Sequence, residues 1–186
     1  KILEIKPSKL VLLERNEPSL YQIQRELEKK YPNKNIFSVL GSACSKQLLK
    51  NTIKKYNIDL VFHAAAYKHV PLVEINPLQS ISNNLISTRT LCEAALKNNV
   101  GKLILISSDK AVRPSSIMGS TKRMSELAIK YYANISKTTN SKTSFSAVRF
   151  ANVLNSSGSV VGSSSLNKTG TSSKLRLIWS SCKVFP

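Results

Sequence analysis

The sequence lacks several features that would place it in a membrane or a secreted scaffold. It has no run of about 18 apolar residues, which a membrane-spanning helix requires, and no signal-peptide pattern. Its three cysteines, Cys44, Cys92 and Cys182, are widely spaced and form no C-x-x-C pair. This spacing predicts neither a disulfide framework nor a zinc site. We therefore expect a cytoplasmic protein without a metal centre.

Acidic residues are scarce. The 28 Lys and Arg residues outnumber 10 Asp and Glu, giving a formal charge of +18, and none of the acids lies beyond Glu126. Such a charge is compatible with nucleic-acid binding. The basic residues, however, are scattered singly or in pairs, without an Arg-rich block or interleaved aromatic residues. We therefore expect a solvated basic surface and no nucleic-acid partner.

Short apolar runs alternate along the chain with segments of helical periodicity. The strands are predicted at Lys9–Leu13, Ile36–Leu40, Leu60–His63, Leu103–Ile106 and Thr143–Phe150. The helices are predicted at Pro18–Tyr31, Lys46–Tyr56, Pro77–Asn99 and Met118–Ser136, and Lys1–Ile5 is typical of a helix end. This alternation predicts an α/β fold with a doubly wound parallel sheet of the Rossmann type.

Glycine is also scarce, and its placement matters more than its number. A dinucleotide-binding fold begins with a strand and a Gly-rich turn, and this sequence contains neither. That strand normally lies between the strands that here end at Leu13 and His63, so we expect five strands with an unfilled slot. We expect residues 1–161 to form a partial NAD(P)-binding domain and the chain to be an inactive fragment.

The last segment has a different composition. Residues 162–186 are Ser-rich and show no hydrophobic period, which is typical of irregular structure. A frameshifted or truncated end would have this character, and a divergent linker is the less favoured alternative.

The chemistry-bearing residues concentrate between Lys102 and Lys122. A hydroxyl, a carboxylate and an amine follow the apolar run as Ser108, Asp109 and Lys110, where doubly wound sheets place ligands. Met118 and Lys122 are four residues apart, so they share one helix face. Spacing alone favours a simpler interpretation, namely a polar turn and a surface helix.

Four motifs carry a resemblance to a known family: HAAAYKHVPLVE, SSDKAVRP, MGSTKR and RFANVLNSSGSV. Together with a Ser-Met-Lys pattern in place of Ser-Tyr-Lys, they resemble the extended short-chain dehydrogenase/reductase superfamily. Within it, the match is to the polysaccharide-biosynthesis (CapD-like) nucleotide-sugar 4,6-dehydratases, from about Lys1 to Val161.

The resemblance implies a lyase acting on a UDP-N-acetylhexosamine in surface polysaccharide biosynthesis. In that reaction hydride leaves C4 of the sugar and returns at C6, a proton leaves C5, and water leaves from C6. NAD or NADP is regenerated in each cycle and acts as a bound prosthetic group.

The resemblance also implies catalytic roles. Asp109 is expected to be the acid toward the C6 oxygen, and Lys110 the base at C5. Both roles require pKa values displaced by burial and by the neighbouring residue. Ser108 would bond the C4 oxygen, and Lys122 the nicotinamide ribose. Met118 cannot remove a proton, so the C4 base is left open among Lys122, a water relay, or a tyrosine (Tyr67, Tyr131 or Tyr132).

Binding residues follow from the same motifs. The expected cofactor contacts are Glu14 for the adenosine ribose, Arg15 for a 2′-phosphate, Ser42 near adenine, Ala64, Ala65 and Ala66 in the turn, Asn84 and Lys122. The expected substrate contacts are Lys68, His69 and Asn152. A buried Asn bonded to backbone is nearly as good an interpretation of Asn84.

Other functions stay open at this point. A 4-epimerase is the alternative among enzymes, although epimerisation needs no acid at C6. A non-catalytic partial gene product is another alternative. The parent protein is expected to be a homo-oligomer that could be anchored at the cytoplasmic face of a membrane.

Overall fold

A computed structural model describes residues 2–5 and 7–150. The strands are β1 (Leu10–Glu14), β2 (Ile36–Leu40), β3 (Leu60–His63), β4 (Lys102–Ser108) and β5 (Ser144–Phe150). The α-helices are α1 (Glu17–Lys30), α2 (Lys46–Tyr56), α3 (Val70–Ile75), α4 (Pro77–Ser80), α5 (Ser87–Lys97) and α6 (Ile117–Thr138). Short 3₁₀ turns occupy Ile2–Ile5 and Asp109–Ala111, and a π-helical segment occupies Ile81–Ile86. Asn152, the boundary at residue 161 and the tail at 162–186 lie outside the described residues.

All strand pairs in the described residues are parallel, which confirms the predicted fold class. β1 pairs with β2, and β4 lies between β3 and β5. The five strands therefore form two separate sheets, and a cavity of about 310 Å³ lies between β1 and β3. Within residues 2–5 and 7–150, no strand lies between β1 and β3.

Local sequence explains where the helices begin. Asn16, Ser45 and Ser116 each accept a hydrogen bond from a backbone N–H in the first turn of α1, α2 and α6. In α1, Pro18 also lies in the first turn, where its missing N–H costs nothing.

One helix prediction was wrong in detail. The helix predicted at Pro77–Asn99 is divided into α4, the π-helical segment and α5, and α3 precedes it unpredicted. Ser87 and Thr88 donate their hydroxyl protons to the carbonyls of Asn83 and Asn84, four residues back. Such side-chain bonding to the preceding turn competes with regular α-helical bonds and accompanies the change of pitch.

The core consists of two hydrophobic clusters on opposite faces of the strands. The larger one joins α2, α5 and α6 to residues such as Leu13, Val61 and Leu105. The smaller one packs α1 and the first 3₁₀ turn against Leu12 and its neighbours. Cys92 is fully buried in the larger cluster, and burial raises the pKa of its thiol to about 12, so it is an inert core residue.

One buried carboxylate of α6, that of Glu126, bonds the helix to the sheet. Glu126 accepts two hydrogen bonds from Arg149 of β5, at 2.7 and 2.8 Å, and one from Ser107 of β4 at 2.8 Å. Arg123 adds a third cationic contact at 3.2 Å. These donors, Arg149 first, lower the pKa of Glu126 to about 2 despite its burial. The carboxylate therefore ties the helix to two strands near the edge where both end.

We predict that Glu126→Gln makes the protein less stable at neutral pH. The pKa of Glu126 falls from its ordinary 4.5 to about 2 on folding, which corresponds to about 3 kcal/mol of stabilisation at most. Because Arg149 and Arg123 are nearly half exposed, we expect about 1–3 kcal/mol. The folded state has the lower pKa, so this stabilisation is complete above pH 4.5 and is lost as pH falls toward 2.

Urea unfolding of the original chain and of Glu126→Gln between pH 7 and pH 3 measures the difference in their free energies of unfolding. The matched control is Glu93→Gln, because Glu93 pairs with Lys97 and Lys46 at the surface and should contribute less. A stability difference for Glu126→Gln that stays constant down to pH 3 would contradict the assignment.

Candidate active site

The candidate site lies at the edge where the parallel strands end. Polar residues follow the strand ends there: Glu14 closes β1, Ser42 follows β2, His63 closes β3 and Ser108 closes β4. Doubly wound sheets bind their ligands at this edge. The carboxyl edge therefore collects the predicted cofactor and catalytic residues on one side of the fold.

Ser108, Asp109 and Lys110 form a tight turn after β4. The Ser108 hydroxyl donates to Asp109 Oδ1 at 2.9 Å and accepts from the Lys110 backbone N–H at 3.1 Å. Lys110 Nζ lies 3.5 Å from the same Asp109 oxygen. Both charged side chains are about half exposed. The turn therefore contains an Asp109–Lys110 ion pair, and Ser108 bonds to both of these residues.

The electrostatics of this turn differ from the expectation. Asp109 was expected to have a pKa displaced by burial so that it could hold a proton. In the structure the Ser108 hydrogen bond, followed by the Lys110 charge, lowers the pKa of Asp109. The reason is exposure, because a solvated carboxylate beside an ammonium keeps its charge.

The first two turns of α6 supply the buried part of the site. Met118 and Lys122 are only 4% and 8% exposed, so the predicted shared face is real. Lys122 Nζ donates to the Ile106 carbonyl of β4 at 3.0 Å. A Cβ on Gly119 would lie 2.5 Å from the Lys110 carbonyl oxygen. Only glycine allows the helix to approach the Asp109–Lys110 turn this closely.

Asn84 joins three parts of the site. Its amide accepts from the Tyr67 backbone N–H at 2.7 Å, donates to the Tyr67 carbonyl at 3.1 Å, and donates to Thr121 of α6 at 3.0 Å. Ser125 of α6 also donates to the Asn84 carbonyl at 3.0 Å. The observed contacts of Asn84 are therefore structural, and they hold the loop after β3 against α6.

His63 is a site residue that sequence reasoning missed. Its Nε2 lies 3.0 Å from the Thr88 hydroxyl, which already donates its proton to the Asn84 carbonyl at 2.6 Å. His63 must therefore donate from Nε2, leaving Nδ1 as a buried acceptor without a partner among the described residues. Burial, and then the Lys122 charge, lowers the pKa of His63 to about 3, so the imidazole stays neutral.

The end of β1 presents a buried carboxylate. Glu14 is 5% exposed and accepts from the Asn16 backbone N–H at 2.8 Å. Beside it, Arg15 donates to Asn83 Oδ1 at 3.1 Å and lies 5.3 Å from the centre of the Tyr67 ring. Arg15 therefore links β1 to the π-helical segment and to the loop after β3.

The remaining predicted residues lie in loops at the same edge. Ser42 accepts from the Cys44 backbone N–H at 3.1 Å, and Ala64 to Ala66 continue directly from β3. Lys68 is half-buried, and His69 is exposed at the start of α3. Of the alternative bases, Tyr131 and Tyr132 lie more than two turns along α6 from Lys122 and contact each other edge to face. Tyr67 lies in the loop after β3, where its backbone N–H and carbonyl both bond to the Asn84 side chain.

The buried carboxylate of Glu126 was also missed, although the sequence held a signal. Glu126 is the last acidic residue of a chain whose final 60 residues include many basic ones.

The described residues contain no cluster of His, Cys, Asp and Glu that could hold a metal ion, and no described helix is long and apolar enough to cross a membrane.

The described residues fit the two ends of a dinucleotide. A buried carboxylate stands at the end of β1, and a buried amine and a serine stand at the end of β4. The buried, neutral His63 imidazole has a ring nitrogen without a partner among the described residues, and the Lys122 charge helps to lower its pKa. Within residues 2–5 and 7–150 there is no Gly-rich turn for the diphosphate.

Comparisons with known proteins show which family the chain belongs to. The chain is 44% identical over 156 residues to the capsular polysaccharide biosynthesis protein CapD of Staphylococcus aureus, covering 83% of the chain and 25% of that protein. It is 34% identical over 156 residues to a UDP-N-acetylglucosamine 4,6-dehydratase (inverting) of Campylobacter jejuni, covering 84% and 44% respectively.

A solved structure is similar as well. The X-ray structure of Pen from Bacillus thuringiensis has a TM-score of 0.78 and 33% identity, covering 86% of this chain and 48% of that one. The chain spans less than half the length of each of these three proteins. The polysaccharide biosynthesis protein family model matches residues 1–168, and the chain belongs to that family.

Proposed function

We propose that this chain carries the catalytic turn and helix of a nucleotide-sugar 4,6-dehydratase that acts on a UDP-N-acetylhexosamine. The observation that carries the proposal is the Asp109–Lys110 pair, 3.5 Å apart, at the end of β4 beside the buried amine of Lys122. Elimination of water needs a base at one carbon and an acid at the next, and this pair supplies both groups.

A bound sugar that covers Asp109 and Lys110 would change their protonation states. Exposed to water, Asp109 is ionised and Lys110 carries the opposite charge. A sugar lying over the turn removes water, and burial disfavours both charged forms. Transfer of one proton from Lys110 Nζ to Asp109 Oδ1 then gives a neutral amine and a carboxylic acid. The amine can accept the C5 proton, and the acid can protonate the departing C6 hydroxyl.

Ser108 and Lys122 complete the arrangement. The Ser108 hydroxyl already donates to Asp109, so its remaining lone pair accepts from the sugar's C4 hydroxyl. The Lys122 charge reaches the buried His63, whose low pKa keeps the imidazole neutral, so His63 adds no second positive charge to the site. The charge on Lys122 stabilises negative charge that develops on the C4 oxygen. Met118 contributes shape and an apolar wall.

The residues that would hold a nicotinamide dinucleotide lie at both ends of the site. Glu14 would accept from the adenosine ribose hydroxyls, and Lys122 would donate to the nicotinamide ribose. The dinucleotide would supply reversible hydride transfer. Because Arg15 is engaged by Asn83 and Tyr67, we favour NAD over NADP.

Product analysis tests the proposed reaction. The longest form of the protein that its gene encodes, incubated with NAD and UDP-N-acetylglucosamine, should give a 4-keto-6-deoxy sugar by NMR or mass spectrometry. A C4 epimer of unchanged mass would instead establish the epimerase, for which Asp109 has no role.

Turnover should fall when residue 110 can no longer act as a base, even if the replacement keeps the positive charge. We predict that Lys110→Arg and Lys110→Ala each lower turnover by ~10²–10⁴-fold, because guanidinium does not deprotonate in proteins. Asp109→Asn should cause a loss of similar size, and Met118→Ala a smaller one. Lys50→Arg, at an exposed position of α2, is the control and should keep its activity. A Lys110→Arg enzyme with wild-type turnover would rule out the proposed base.

Gly119 should be essential for the spacing of the turn and the helix. In Gly119→Ala the new methyl group meets the Lys110 carbonyl, so either the turn or α6 must shift. We expect a stability loss of about 1–3 kcal/mol and, since misplacement of about 1 Å can cost ~10²-fold, a large fall in kcat. Ser120→Ala, which is exposed on the next position of α6, is the matched control. Unchanged kcat in Gly119→Ala would show that the close approach is not required.

A further inference from the structure

The edge of the fold opposite the candidate active site is rich in lysine. Within each sheet the parallel strands begin in register, and Lys9, before β1, reaches the Tyr56 carbonyl, before β3, at 3.4 Å. The strand starts and the ends of α1, α2, α5 and α6 therefore lie at one edge, the amino edge. Its exposed lysines lie in the last turns of these helices or shortly before or at a strand start: Lys9, Lys29, Lys30, Lys34, Lys54, Lys55, Lys97, Lys102, Lys137 and Lys142.

The topology brings these lysines together. Along the chain they occur singly or in pairs, spread from Lys9 to Lys142, and this spacing gives no sign of a basic patch. In the fold, each crossover between parallel strands returns the chain to the same edge. Basic charge that is scattered in the sequence is therefore concentrated at one end of the molecule.

Negative groups at the amino edge do not balance the lysines. Of the carboxylates with described side chains, four lie at or near this edge, namely Glu26, Glu28, Asp59 and Glu93. The carboxyl ends of the four helices add the equivalent of about two negative charges. Ten lysines against about six negative charges leave an excess of about four positive charges. Compensation of the helix dipoles therefore explains only some of the lysines.

The cationic groups of the amino edge are all lysine. The described arginines lie along helices or toward the carboxyl edge: Arg15, Arg25, Arg89, Arg113, Arg123 and Arg149. Arginine is the residue that recognises planar groups and forms bidentate pairs, whereas lysine is a point charge on a flexible stem. The amino edge therefore suits a diffuse anionic surface better than a fixed pattern of phosphates and bases.

Two tyrosines at this edge already contact other side chains of the protein. Lys55 Nζ lies 5.3 Å from the centre of the Tyr56 ring, and the centre of the Phe37 ring lies 4.9 Å from it. Lys30 Nζ lies 5.6 Å from the centre of the Tyr31 ring. Single-stranded nucleic acids stack their bases on accessible aromatic faces, so these rings are poor platforms for them. Amphipathic tyrosines beside lysines are typical of the headgroup level of a membrane.

We propose that the amino edge is a docking surface for the anionic phospholipid headgroups of a membrane surface. A bilayer presents a broad layer of phosphates, and the aligned strand starts place the lysines at one end of the fold, from which they can reach it together. Each lysine close to such a surface strengthens binding by about fivefold, so an excess of about four charges strengthens it several-hundredfold.

This docking directs the candidate active site away from the membrane. β4 runs from Lys102 at the amino edge to Ser108 at the carboxyl edge, a rise of up to about 20 Å. The Asp109–Lys110 turn would therefore lie up to about 20 Å above the headgroups, open to a water-soluble substrate. The docking surface contains none of the catalytic residues, so the proposal does not depend on the proposed function.

Vesicle binding by the 186-residue chain tests the proposal. The probe is sedimentation with vesicles of phosphatidylcholine that contain about 30% phosphatidylglycerol, at about 0.15 M salt, and the control is vesicles of phosphatidylcholine alone. We expect binding to the anionic vesicles only, and we expect it to weaken as salt increases because screening increases. Equal binding to both kinds of vesicle, or binding to neither, would overturn the proposal.

Matched variants locate the surface that binds. Lys102→Gln with Lys142→Gln removes two charges from the amino edge and should weaken binding by about 25-fold. Lys50→Gln with Lys130→Gln removes two exposed charges that lie roughly 9 and 12 Å along α2 and α6 from the helix ends, beyond the screening length of about 8 Å. This control should lose less than about threefold. Equal losses would show that only the net charge matters and would overturn the proposal.

Chemical footprinting tests the same surface without a substitution. A water-soluble acetylating reagent, with mass spectrometry as the readout, measures how fast each lysine reacts. Saturating anionic vesicles should slow acetylation of Lys54, Lys102 and Lys142 at least threefold and leave Lys50 and Lys130 nearly unchanged. The measurement stays informative if a variant fails to fold. Protection at Lys50 and Lys130 without protection at the amino edge would overturn the proposal.

A nucleic-acid partner is the competing outcome. A DNA duplex of about 20 base pairs and a single strand of the same length are added at the same concentration of accessible anionic phosphate as the vesicles. Tighter binding to either DNA, with protection of the same lysines, would make the amino edge a nucleic-acid surface and overturn the proposal. All of these measurements are independent of turnover, so their failure leaves the proposed enzymatic function untouched.

Discussion

The placement of α6 depends on buried polar contacts more than on apolar packing. Most of the buried residues in its first three turns are polar or charged, and their partners come from β4, β5 and the π-helical segment. Buried polar groups are costly unless they are bonded, so a displaced helix would leave several of them unsatisfied at once. The position of Met118 and Lys122 relative to the Asp109–Lys110 turn is therefore determined by directional bonds, among them those of Glu126 to β4 and β5.

Side-chain contacts also join the two sheets. The β1–β2 pair presents Glu14 and Ser42, whereas the β3–β5 sheet presents Ser108 and its neighbours. At the carboxyl edge, Arg15 joins these halves through Asn83 and Tyr67. In the interior, the two hydrophobic clusters lie on both sides of the cavity. The halves are therefore held together by side chains where a central strand would use backbone bonds.

Much of the fold could be predicted from the sequence because parallel strands and amphipathic helices have clear periods. The predicted ends of all five strands lie within two residues of the observed ends, and the largest difference is at the end of β4, which extends to Ser108. The π-helical segment was missed because the bonds that accompany it, from the Ser87 and Thr88 hydroxyls to the Asn83 and Asn84 carbonyls, leave no mark in the hydrophobic period. The pKa direction of Asp109 was wrong because burial of a loop residue is not visible in its local pattern.

The sequence by itself determined the order of the elements, their parallel arrangement, and the cluster of Ser108, Asp109 and Lys110 after β4. These follow from local periodicity and from neighbours along the chain. Only the tertiary structure decided that Asn84 clamps Tyr67 to α6, that His63 is a neutral buried acceptor, and that Glu126 binds Arg149. Each of these contacts joins residues that are 17 or more positions apart in the chain, or depends on exclusion of water. No local pattern records either condition.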